Sequence, residues 1–303
     1  MDFFEAWLKD DARRITSQSS SFAQRYYFWS RNLFERCINI IEWKKVGDVP
    51  PHEIEAPVLL GGMCGVTNKY DGEVTPFPGQ YAGAPTKYRD IYDSVSVFSP
   101  VYSDILKIGK DAEVIRNNST RSSIWPTIHN FATLLAHVET SLATTLINGR
   151  DNGILPVVST KAQEDAYDKY RVSLAEGSVG TMYAPAMLGM KTIQTGVNVQ
   201  FNIKDLTETR ENILQAFYTE IGVITPQFKK GNMIVEEVNA NKTRALFNIR
   251  DMLETRKRDC EKVNKLFGTE WVPDISEEIK IMMEENRYDA NNDKTAGKAS
   301  ETE

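Results

Sequence analysis

Cysteine is scarce and scattered: Cys37, Cys64 and Cys260 are the only three in 303 residues. None stands at metal-knuckle spacing from another, and an odd, dispersed count points to reduced thiols and cytoplasmic synthesis rather than a disulfide framework. Histidine is as rare, with His52, His129 and His137 only. His129 and His137 fall too far apart along one expected helix to share a metal, so they read as packing or surface residues. There is no excess of positive charge: 36 Lys and Arg stand against 42 Asp and Glu, a net charge of −6. That excludes a protein that coats nucleic acid by bulk attraction but leaves room for a local basic site. Long apolar runs are also missing. The longest weakly polar stretch, Val58 to Val66, is too short and too glycine-rich to span a bilayer, and Asp2 and Glu5 are the wrong flank for a secretory signal. A soluble protein with no membrane partner is expected.

Signatures of catalysis and cofactor binding are absent in the same way. Gly61-Gly62-Met63-Cys64-Gly65 is not followed by Gly-Lys-Ser/Thr and reads as a turn, not a phosphate loop. Cys64 and His52 lack a third, orienting group. Asp289, Asn291 and Asp293 begin like a calcium loop, but Lys294 stands where the sharp turn needs glycine. Glu236-Glu237 and Glu284-Glu285 read as solvated faces. No enzyme, no cofactor and no metal is expected.

What is present is an ordinary globular balance, 41% hydrophobic and 26% charged, in a chain long enough to bury a core in two sub-structures. The pattern predicts a mainly α chain with smaller β modules, an α+β fold. Residues 1–21 read as a flexible arm ending in Ser17-Gln-Ser-Ser-Ser21, and 22–45 as a helix bearing Phe22, Tyr26, Trp29, Leu33, Cys37, Ile40 and Ile41. Further aromatics at Tyr27, Phe28, Phe34 and Trp43 give it more than one apolar face, as if it packs against neighbours on several sides or between subunits. Pro50-Pro51 ends that helix. Residues 46–125, cut up by glycine and proline, read as a partly β module containing a strand at 94–98. A helix over 126–149, with Thr127 as N-cap, presents Ile128, Phe131, Leu135, Val138, Leu142 and Leu146. Residues 150–204 are mixed: a strand at 155–159, a helix at 163–175 and a strand at 197–203, where Val197, Val199, Phe201 and Ile203 alternate.

The chain is organised around residues 205–268. A helix over 205–222 ends at Gly222, the place for a left-handed cap. A basic loop over 223–240 follows, in which Pro226 and Gly231 forbid continuous helix and Lys229 and Lys230 stand side by side. A long helix then starts near Asn241 and stops at Gly268. Asp274-Ile-Ser-Glu277 reads as a capping box opening a last short helix with Ile275, Ile279 and Met282 on one face, so that 241–288 form a helical pair. The polar tail, 289–303, has a disordered composition.

Several phrases, in this order, carry a resemblance: Ile41-Glu-Trp43 before the Pro-Pro turn; Val97-Phe-Ser-Pro-Val-Tyr102; Asn117-Asn118 with Trp125-Pro-Thr127; and Ile221-Gly222, Phe228-Lys-Lys230, Val235-Glu-Glu-Val238 and Arg258-Asp-Cys-Glu-Lys-Val-Asn-Lys-Leu-Phe-Gly268. Over about residues 22 to 285 the chain resembles the portal proteins of small short-tailed phages with protein-primed genomes, also called upper collar proteins or head–tail connectors. The resemblance implies a homododecameric ring at one capsid vertex, a component of the virion that forms in the host cytoplasm. It implies a channel for double-stranded DNA during packaging and ejection, and contacts with the major capsid protein, the lower collar or tail protein and the packaging ATPase. It makes 22–45, 126–149 and 205–222 the stem helices, 46–125 the wing, 150–204 the narrow end and 241–288 the crown. It places Lys229 and Lys230 on the channel loop, with Lys242 and Arg244 as further DNA or partner contacts. A packaging RNA is not carried over, because Lys9, Arg13 and Arg14 in the arm are offset by Asp2, Glu5, Asp10 and Asp11.

A competing reading is a DNA-binding regulator using Lys242, Arg244, Arg250, Arg256, Lys257 and Arg258 as a basic stripe. Asp251, Glu254, Asp259 and Glu261 interleave those charges, which is the pattern of a solvated face.

Overall fold

The first helix, α1 (Ser21–Ile38), buries one stripe made of Trp29, Leu33, Phe34 and Cys37. It ends earlier than its apolar pattern predicts, because Ile41–Lys44 is a strand, β1. Ile41 and Trp43 point inward and Glu42 outward, and β1 pairs antiparallel with β10 (Val272–Ile275), Ile41 opposite Ile275 and Lys44 opposite Val272. The apolar positions here suit either period, and a partner far down the chain selects the strand. In the computed structural model the described residues are 21–87, 92–98, 103–150, 154–175, 191–194, 199–223 and 235–281. The expected arm and polar tail lie outside them.

Pro50-Pro51 opens a helix rather than only closing one. Helix α2 (Pro51–Gly61) has proline in its first turn, where the missing N–H costs nothing, and stops at Gly62 in the left-handed region, φ 79°. Ile54, Glu55, Ala56, Pro57, Val58 and Leu59 are all buried, so α2 shows no amphipathic period. That is why a pattern search misses it. Strand β2 (Met63–Thr67) follows and forms the centre of a sheet with β3 (Thr75–Phe77) and β7 (Glu113–Arg116). A second antiparallel sheet holds β4 (Gly79–Pro85), β5 (Tyr92–Val97) and β6 (Ile105–Lys107). Met63, Phe77, Val95, Val97, Leu106, Ala112 and Val114 form the core of this β module.

Helix α3 (Trp125–Arg150) begins two residues before Thr127; the cap is Ser123, whose Oγ accepts the Trp125 N–H at 3.0 Å. Beyond α3 stand the ribbon of β8 (Ile154–Val157) with β9 (Lys191–Gln194) and helix α4 (Lys161–Ala175). The strand expected at 197–203 is not one: from Val199 onward the chain is helix α5 (Val199–Ile221). Alternate apolar residues at 199, 201 and 203 also satisfy the i, i+4 spacing of a helix. Helix α6 (Val235–Phe267) starts six residues before Asn241 and stops at Gly268, φ 70°. Asp274 lies in β10 and is not a cap. Lys280 N–H donates instead to Ser276 C=O at the start of the final helical residues, 277–281. Met282 lies outside the described residues.

Helices α1, α3 and α5 pack as an antiparallel bundle. Phe22 meets His137 and Tyr26 meets His129 across α1 and α3, and Phe131 of α3 meets Phe217 of α5 with ring centroids 5.4 Å apart. A single core joins this bundle to α2, β1, α6 and Trp271. It also absorbs most of the aromatics expected to need several partners. Trp29, Phe34 and Trp43 are buried in it and Tyr26 and Tyr27 pack against it; of the α1 aromatics Phe22, which meets His137, and Phe28, 54% exposed, stand outside it.

Candidate functional site

The long helix α6 is fastened along the β module by buried charge. Arg256 and Asp259, expected on a solvated face, are both fully buried. Arg256 Nη2 donates to Glu55 Oε1 of α2 at 2.8 Å and to Asn117 Oδ1 at 2.9 Å, and Trp43 Nε1 donates to Glu55 Oε2 at 2.9 Å. Burial raises the Glu55 carboxyl, opposed by the Arg256 charge and the Trp43 hydrogen bond. Burial likewise lowers the Arg256 guanidinium. One turn along α6, Asp259 receives Arg116 bidentately, Nε and Nη2 each at 2.6 Å, and Lys262 Nζ at 3.0 Å. The bond to Asp259 raises the Arg116 guanidinium further. Toward the helix start, Asp251 accepts the Ser119 N–H and Oγ–H at 3.2 and 3.0 Å. Residues 116, 117 and 119 thus climb α6 from 259 through 256 to 251.

Both ends of this seam are locked by further side chains. Asn264 donates to Trp271 C=O at 2.9 Å and accepts the Trp271 N–H at 2.9 Å and the Thr269 hydroxyl at 2.7 Å. Cys260 Sγ–H donates to the same Trp271 carbonyl at 3.1 Å, and burial pushes its thiol up to about 12. At the other end, α5 closes with Val223 N–H on Tyr218 C=O and Gly222 N–H on Thr219 C=O, Gly222 having φ 92°. Asn248 of α6 donates to Glu220 C=O at 2.7 Å, tying the two helices at the joint.

Of the residues singled out in the sequence, Lys229 and Lys230 lie outside the described residues, between this joint and the start of α6. Lys242 and Arg244 belong to α6, and their side chains lie outside the described ones. The basic stripe does not hold together: Arg256 faces Glu55, and Arg250 pairs with Glu254 at 2.6 Å. Cys37, Cys64 and Cys260 are free and buried, and burial raises each thiol. His129 Nδ1 lies 2.7 Å from the Tyr26 hydroxyl. Among the described residues there is no cluster of His, Cys, Asp and Glu able to hold a metal ion and no helix long and apolar enough to cross a membrane. Within the phrases that carried the resemblance, Trp43, Asn117, Asp259, Cys260 and Asn264 are internal joints of this seam. Charge alternation along α6 concealed that, because a buried pair and a solvated pair look alike in sequence.

A bundle of three helices, a β module and a long helix fastened along it define an α+β architecture. The family model "Phage Connector (GP10)" matches residues 15–280, and the chain belongs to that family. Its role is therefore that of a head–tail connector, a virion component that assembles as an oligomer with capsid and tail proteins. The chain is also similar, at 13% identity, to a chain of the portal and tail of native bacteriophage P68; the match covers 94% of this chain and 96% of that one, with a TM-score of 0.46.

Proposed function

We propose that this connector is a closed ring of twelve copies at one capsid vertex, through which double-stranded DNA passes during packaging and ejection, and that it catalyses no reaction itself. The observation behind this reading is the family match across residues 15–280. The ring forms in the host cytoplasm, meets the major capsid protein and the packaging ATPase while the head fills, and afterwards holds the lower collar or tail protein. Lys229 and Lys230 line the channel on the segment between α5 and α6, and the family likeness is their support. An acidic chain with few channel lysines suits a conduit, since each phosphate held tightly adds affinity and would stall the duplex. The regulator reading gains no support, because it needs Arg256 on the surface.

Negative-stain imaging and light scattering of the purified chain test the ring. Twelve copies of 34.3 kDa give about 412 kDa, closed by head-to-tail contacts. Monomers or dimers alone, at micromolar concentration across a range of salt, would defeat the reading.

A further inference from the structure

Two arginine–carboxylate pairs stand one turn apart on the α6 seam, and they are satisfied differently. Arg116 meets Asp259 with parallel bonds from Nε and Nη2, each at 2.6 Å. Arg256 meets Glu55 through one nitrogen. Its Nη2 donates to Glu55 Oε1 at 2.8 Å and to Asn117 Oδ1 at 2.9 Å. The difference comes from Trp43, whose Nε1–H donates to the other Glu55 oxygen at 2.9 Å. The carboxylate is shared between an indole and a guanidinium, so it cannot also close a second bond to Arg256.

Arg256 Nε and Nη1 are therefore left without an acceptor among the described residues, although the side chain is 0% exposed. No aromatic face takes them either, for the guanidinium–ring contacts among the described residues belong to Arg36 and Arg121. Buried donors on a charged group are strongly disfavoured without a partner, and in folded interiors they are met by ordered water or a bound ion.

The surrounding chemistry decides which. Only N–H donors are open, so a cation has nothing to bind. An anion would lie beside Glu55, whose charge already balances Arg256, and would bury a net negative charge. Water fits both partners. It accepts from arginine and can donate back to Glu55, which receives one bond on each oxygen and has about four acceptor sites. Nε–H and the Nη1 hydrogens open on different edges of the guanidinium plane, so one molecule cannot serve both.

We infer that the α6 seam holds at least two internal water molecules, one on Arg256 Nε and one on Arg256 Nη1, as fixed parts of the joint between α2, α6 and β1. They complete for Arg256 what the bidentate carboxylate completes for Arg116.

The test is a crystal structure of the full chain at a resolution that shows ordered water. Peaks about 2.7–3.2 Å from Nε and from Nη1 are expected. Protein groups accepting from both nitrogens, or bare nitrogens with no peak beside them, overturn the inference. Crystals grown in bromide separate water from a halide, and an anomalous signal at either position overturns water as the ligand. The second arm is the double variant Arg256→Met with Glu55→Gln. Both peaks should be lost while Trp43 still donates to the side chain at position 55. Peaks that persist without the guanidinium overturn Arg256 as their holder. Should the double variant not fold, the peaks and the bromide signal of the natural protein decide alone.

Discussion

Arg256 and Glu55, 201 residues apart in sequence, meet at 2.8 Å with 0% and 1% of their side chains exposed. The contact joins the middle of α6 to α2, and Trp43 and Asn117 complete it. Burial works against both charges, so the pair exists because each partner makes the other tolerable. It holds α6 in one register along the β module.

Removing one partner should therefore cost far more than removing both. Arg256→Met alone should destabilise by about 3–5 kcal/mol, because it strands a buried carboxylate. Adding Glu55→Gln, which still accepts from Trp43, should restore most of that loss. Denaturant unfolding at fixed protein concentration reads the cycle, and additive losses would show that the two residues do not act as a pair.

Gly65 of β2 lies opposite Phe77 of β3, and a Cβ on Gly65 would sit 2.2 Å from the Phe77 ring. Gly65→Ala should cost about 1–3 kcal/mol through overpacking. Combining it with Phe77→Leu should recover part of the loss, since the ring is what the methyl meets. Thermal melting of the three variants decides it, and an alanine variant as stable as the natural protein would contradict the contact.

The β1–β10 ribbon should respond to acid through Asp274. Its carboxylate accepts Lys280 Nζ at 2.8 Å, Lys44 Nζ at 3.4 Å and the Ile275 N–H at 2.9 Å. The Lys280 hydrogen bond above all holds its carboxyl below the usual range. A depressed carboxylate lends stability at pH above its unfolded value of about 3.9, and that stability is lost as pH falls through the lower folded value. Asp274→Asn should therefore lower the melting temperature near pH 6 and change it little near pH 2. An equal loss at both would assign the effect to packing instead.

Replacing Lys229 and Lys230 with alanine should leave folding and ring assembly within about 0.5 kcal/mol of the natural protein. Particles built with the double variant should retain less genome after packaging at low salt, and the difference should shrink as salt rises and screens the natural contact. Glutamate at both positions should be worse than alanine. Normal retention at low salt, or failure to form rings, would remove these lysines from the channel.

Much of the fold was legible from short-range pattern. The stripes of α1 and α3, the stop of α6 at Gly268 and the left-handed cap at Gly222 follow from periodicity and from glycine's freedom at positive φ, both local properties. Helix α2 was illegible because a segment buried on every side has no period to read. Residues 199–203 went astray because alternate apolar positions fit helix and strand alike, and Asp274 because a capping-box spelling says nothing of a partner strand.

The sequence by itself determined the family, the α+β class and the three bundle helices, because those rest on residue order and local periodicity. Tertiary structure alone decided which charges are buried. Arg256, Asp259 and Glu55 read like any solvated residues until α2, β7 and α6 converge around them, for burial depends on what the rest of the chain places beside a residue. It also decided that Ile41–Lys44 is a strand, through a partner supplied by β10 at the other end of the chain.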